Sequence, residues 1–141
     1  MPHLARNDIL SMVFQMPHRK QLDTALDSVH IHFIPLGTGV GDLAFSYEWG
    51  WYKANEVVPA TLPNTNSLTV ALVAEDQYKL KLASLITALA APTSETYSSL
   101  LYVKCTRRTT GDTWGTDEIA LAYMDAHYLV DRYGSYNEIT D

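Results

Sequence analysis

Between residues 43 and 52 the chain reads LAFSYEWGWY, and every second side chain is large and apolar. In an extended strand Leu43, Phe45, Tyr47, Trp49 and Trp51 share one face, while Ala44, Ser46, Glu48 and Gly50 share the other. A period of two has no helical solution, and so large an apolar face must be covered by a second layer. Related patterns recur in shorter runs. LTVALVA at 68–74 is β-branched, YKLKL at 78–82 sets Tyr78, Leu80 and Leu82 against Lys79 and Lys81, and SLLYVKCTR at 99–107 is a further strand. GTGVGD, VVPATLPNTNS and RTTGDTWGTDE separate them as loops. ASLITALAAPTSE is rich in Ala and Leu and predicts a helical turn or two, closed by Pro92. Short strands with turn signals between them predict an all-β fold, a β-sandwich or jelly-roll-like single domain.

Residues 1–26 have weaker periodicity and a Met-Pro-His break. They read either as an extended N-terminal arm packed on a neighbouring subunit or as a first strand of the same unit, with residues 27–141 forming the β-sandwich domain. Of the 141 residues 47% are hydrophobic and 18% charged, so a sizeable core is expected. The net charge of -6 argues against nucleic acid as a partner, because phosphate neutralisation needs a basic face. The longest apolar stretch, LASLITALAAP, is about half the length of a membrane span, and no signal peptide is expected from MPHLARNDILSMVF. Cys105, the single cysteine, lies in an alternating run and reads as a buried free thiol.

The run DSVHIHFIPLG at 27–37 holds two histidines two residues apart. On a strand His30 and His32 share one face and Val29, Ile31 and Phe33 the other. IALAYMDAHYLVDRY, from residue 119, fits helical and strand spacing equally. As a strand it puts Asp125 and His127 on one face, where they can meet His30 and His32 in a structural polar network if the two strands are neighbours. The same residues, with His18, form a nitrogen and oxygen set suited to zinc or another divalent ion, but the network is preferred and no metal or cofactor is expected.

Signals for catalysis are weak. No Gly-x-Ser-x-Gly elbow occurs, and GTGVGD lacks the Gly-Lys-Ser/Thr of a phosphate loop. DTWGTDE offers Asp112, Asp117 and Glu118 without the spacing of a calcium loop, and reads as a solvated loop. The chain is therefore not expected to be an enzyme. Nine tyrosines against three phenylalanines, gathered toward the C-terminus, suit contact surfaces.

FQMPH at 14–18, VHIHFIP at 29–35, LAFSYEWGWYKANEVVPA at 43–60 and DAHYLVDRYGSYNEITD at the C-terminus occur in an order that resembles a group of uncharacterised tailed-bacteriophage virion proteins. That group carries a His-x-His-x-x-Pro strand and an Asp-x-His-Tyr-x-x-Asp-x-x-Gly-Ser motif. The resemblance runs from about residue 14 onward; its end motifs are the specific part and LTVALVA to AAPTS is generic. Members often end on a lysine where this chain has NEITD. The resemblance implies a β-sandwich on the particle surface and favours a strand over residues 119–131.

A capsid decoration or cement protein follows as the expectation, a homo-oligomer (a trimer is favoured) bound to the major capsid protein, made in the host cytoplasm and located in the virion. Expected contact residues are Phe14, Met16, Pro17 and His18 near the N-terminus and Tyr133, Gly134, Ser135 and Tyr136 near the C-terminus. The alternatives are a tail, neck or fibre component that binds a host receptor, and a metal-binding module or enzyme.

Overall fold

A computed structural model describes residues 1–18, 20–96 and 98–130. The strands are β1 (His3–Leu4), β2 (Ile9–Gln15), β3 (Leu26–Pro35), β4 (Gly41–Tyr52), β5 (Asn64–Leu72), β6 (Lys81–Leu89), β7 (Leu100–Arg107) and β8 (Ile119–Tyr128). All pairings are antiparallel and follow a nested rule: β4 with β5, β3 with β6, β2 with β7 and β1 with β8. Two further pairings, β3 with β8 and β4 with β7, join these pairs into four-stranded sheets ordered β1-β8-β3-β6 and β2-β7-β4-β5. A double strand wrapped so that successive pairs alternate between two sheets is the jelly roll.

The core lies between the sheets and is built from the alternation. Leu43, Phe45 and Tyr47 of β4 face Val29, Ile31 and Phe33 of β3, with Leu101, Val103 and Cys105 of β7 beside them. The Phe33 and Phe45 rings meet edge to face with centroids 5.8 Å apart. Trp49 and Trp51 continue the stripe as partly buried residues packed on the core.

Residues 1–26 are not an arm. β1 and β2 are strands of the two sheets, and Leu10, Met12, Phe14 and Met16 point inward, with Met16 only 3% exposed. Residues 81–89, expected to include helical turns, form an edge strand. There the register shifts between Val29 and His30, so the adjacent Leu85 and Ile86 of β6 are both buried. Pairing to β3 overrides the helical preference of Ala and Leu, and the bulge hides the alternation that would have revealed a strand.

The loop 108–118 is not merely solvated. Arg107 and Asp112 are both buried, and Arg107 Nε donates to Asp112 Oδ2 at 2.9 Å. Its Nη1 donates to the carbonyls of Leu4 and Asp117, and its Nη2 to that of Gly115 at 2.9 Å. Arg6 donates to the other carboxylate oxygen of Asp112 at 3.2 Å, and Trp114 lies buried against the guanidinium. A second buried pair, Lys20 with Glu95 at 2.6 Å, ties the β2–β3 connection to the β6–β7 connection, and Ser99 donates to the same carboxylate. Asp117 and Glu118 stay exposed, as expected of a loop.

Arg107→Ala leaves the Asp112 carboxylate buried with Arg6 as its remaining cation, so urea denaturation should show a loss of about 3–5 kcal/mol. The Cys105 thiol is pushed up to about 12 by burial. A raised thiol value stabilises the fold only while the unfolded thiol keeps its proton, so stability should fall as pH rises from about 9 toward 12. A thiol-alkylating reagent at neutral pH should leave the native protein unmodified and label it once unfolded.

Candidate functional site

The outer face of the β1-β8-β3-β6 sheet carries the polar cluster. Because Val29, Ile31 and Phe33 fill the core, His30 and His32 must point out of the sandwich. On β8 the face changes partway. His32 pairs with Tyr123 and Phe33 with Leu121, so Ala122 is an extra residue on β8. N-terminal to this bulge Ile119 and Leu121 face the core; beyond it Met124 and Ala126 do, and Tyr123, Asp125 and His127 turn outward. The register then sets His30 opposite Asp125, His32 opposite Tyr123 and Ser28 opposite His127.

All four residues expected in the network therefore meet, with Asp125 at the centre. Its Oδ1 lies 3.4 Å from His30 Nδ1, and its Oδ2 lies 3.3 Å from His32 Nε2 and 3.5 Å from His127 Nε2. The rings pack as well: His30 stands edge-on to His127 with centroids 4.8 Å apart, and His32 stacks on Tyr123 at 4.0 Å. The His30 and His32 side chains are only 12% and 10% exposed despite their outward direction, whereas His127 is 53% exposed.

The polar network is gathered but not closed by hydrogen bonds. His30 Nδ1, His32 Nε2 and Asp125 Oδ1 are buried without a hydrogen-bond partner. The ring nitrogens and the carboxylate are close enough to attract, yet too long or poorly angled for the 2.7–2.9 Å bonds that charged groups normally form. One donor atom from each of His30, Asp125 and His127 lies within 4.8 Å of the others, which makes these the residues placed to hold a metal ion.

The expected contact residues fare differently. Phe14 and Met16 point into the core because the inward face of β2 runs through even-numbered residues. The outward positions are Ile9, Ser11, Val13 and Gln15, with Ile9 57% and Val13 45% exposed. The expectation of contact residues comes from reading the segment as an arm; as a strand, its wholly apolar positions Leu10, Met12 and Phe14 face in, and Ser11 and Gln15 share the outer face with Ile9 and Val13. Pro17 is half-buried and His18 is exposed, with its Nε2 3.0 Å from Ser98 Oγ. Tyr133, Gly134, Ser135 and Tyr136 lie outside the described residues. Above the outer face of the β2-β7-β4-β5 sheet, a groove of about 250 Å³ is lined by Ser11, Val58, Pro59, Leu62, Tyr102 and Lys104 among others.

No family model and no curated protein matches the chain. Among solved structures it is similar to TmCBM61, determined in complex with β-1,4-galactotriose, with a TM-score of 0.45 and 9% identity over 90% of this chain and 69% of that one.

Replacing His30 and His32 together by Ala removes two nearly enclosed rings and the Tyr123 stack, and should cost about 1–3 kcal/mol. A thermal melt reads this directly; an unshifted midpoint would mean that the rings contribute nothing to packing.

Proposed function

We propose that this chain is a structural, non-catalytic component of a tailed-bacteriophage particle, a decoration protein bound to the major capsid protein and repeated over the shell as a small homo-oligomer. The sequence motifs that resemble virion proteins support this reading, and jelly rolls recur among viral capsid domains, a likeness of fold alone. The observation that carries it is the edge of β2, which pairs with no further strand among the described residues. This strand ends the β2-β7-β4-β5 sheet, and its run ILSMVFQ contains no charge and no proline. Edge strands that must stay unpaired are normally blunted by lysine, proline or a bulge. Here Ile9 and Val13 stand exposed along the edge, with Val57 and Val58 exposed in the β4–β5 connection.

Such an edge suits addition of a strand from a neighbouring protein, main-chain bonds giving affinity and the alternate side chains specificity. On a symmetric shell the same contact is made many times, so modest affinity per site suffices.

Quantitative mass spectrometry of purified particles should find this chain in a fixed ratio to the major capsid protein. A copy number far below that of the shell would move it to the tail or neck, and absence from the particle would end the virion reading. Val13→Lys should weaken binding to undecorated capsids by about tenfold or more while leaving the melting temperature unchanged, since Val13 faces out. Full binding by this variant would exclude the β2 edge as the contact.

A further inference from the structure

We propose that His30, Asp125 and His127 form a binding site for one divalent transition-metal ion, zinc by the character of the donors. The first support is the set of unpartnered atoms. Buried polar atoms in folded proteins are almost always bonded, yet His30 Nδ1 and Asp125 Oδ1 have no hydrogen-bond partner and stand 3.4 Å apart. An ion bound among them removes that cost by taking lone pairs from several groups at once.

The second support is distance. His30 Nδ1 stands 3.4 Å from Asp125 Oδ1, and His127 Nε2 stands 3.5 Å from Asp125 Oδ2. Two ligands each about 2.0–2.1 Å from a tetrahedral zinc are separated by about 3.3–3.4 Å. Contacts too long for charged hydrogen bonds therefore match the edges of a coordination polyhedron. The three donors span up to 4.8 Å, wider than one tetrahedron, and the half-exposed ring of His127 has the freedom to close that gap.

The third support is mechanical. The ligands sit on β3 and β8, the central strands of one sheet, where position is set by the register and not by a loop. His32 lies outside the three-ligand set. Its Nε2 faces Asp125 Oδ2 while its ring is held by Tyr123, so it orients the carboxylate as a supporting neighbour of a metal ligand does. Two imidazoles and one carboxylate suit zinc and its neighbours in the transition series. Calcium and magnesium prefer all-oxygen sets and are disfavoured. The solvent side, where His127 is exposed, leaves room for water as a further ligand.

The test uses the full chain after chelator treatment and dialysis, titrated with zinc chloride against a competing chromophoric chelator. One zinc per chain is expected, undisturbed by excess calcium, and cobalt(II) at the same stoichiometry should give the visible ligand-field bands of a nitrogen and oxygen site. His127→Gln alters an exposed ring and leaves the core intact; it should weaken binding at least tenfold, as should Asp125→Asn. His32→Gln should weaken binding by about 10- to 100-fold without changing the stoichiometry. His3→Gln and His18→Gln should leave it unchanged. Absence of stoichiometric binding overturns the proposal. So does binding that survives both His127→Gln and Asp125→Asn with those variants folded by circular dichroism, because the ion would then sit elsewhere.

Discussion

The buried guanidinium of Arg107 is the constraint on which the arrangement rests. It occupies the last position of β7, where the chain leaves one sheet for the other, and collects the Asp112 carboxylate and the carbonyls of Leu4, Gly115 and Asp117. A crossover loop brings polar backbone against the core, and each buried carbonyl needs a donor. One planar, fully ionised group supplies several in fixed directions. The acceptor from Leu4 belongs to β1, and the Asp117 carbonyl precedes the start of β8. Arg107 thus sets where β8 begins, and through that register where Asp125 arrives opposite His30.

The legible part of the fold was the part where burial differs sharply between two faces. The run at 43–52 announced β4 because the large side chains of Leu43, Phe45 and Tyr47 alternate into the core, with Trp49 and Trp51 partly buried beyond them, and His30, His32, Asp125 and His127 were placed together because each pair lies two apart on a strand. Legibility failed where a second pattern overlay the first. In β2 the inward face is Leu10, Met12 and Phe14, and Ser11 and Gln15 mark the other, but the Met-Pro-His break suggests an arm and makes Phe14 and Met16 look like contact residues. In β6 the bulge places Leu85 and Ile86 side by side in the core, which reads as a helical stretch. The bulge at Ala122 likewise reverses the face of β8 midway, so neither regular template fits the whole strand.

The buried ion pairs were invisible for a different reason. Arg107 and Asp112 are close in sequence, but the carbonyls that complete the guanidinium's bonding include one from Leu4, at the other end of the described chain. Lys20 and Glu95 are 75 residues apart, and nothing local in either segment marks a buried charge. Sequence periodicity reports the face a residue occupies and not the partner it will find. A sequence hint did exist in RRTTGDTW, where Asp112 follows Arg107 and Arg108 closely between strands, but it fits a solvent-exposed turn equally well.

The nested pairing has a kinetic consequence. Closing β4 onto β5 spans a short connection, whereas β3 meets β8 only after most of the described chain lies between them. Loop closure costs entropy before distant contacts return any stabilisation, so the innermost hairpin has the lowest barrier and the outer pairs follow. Asp125 and His127 ride on the last of the described strands, which makes their meeting with His30 and His32 a late event of folding. A chain still emerging from the ribosome therefore presents its histidines without their carboxylate, and the complete constellation belongs to the finished sandwich alone.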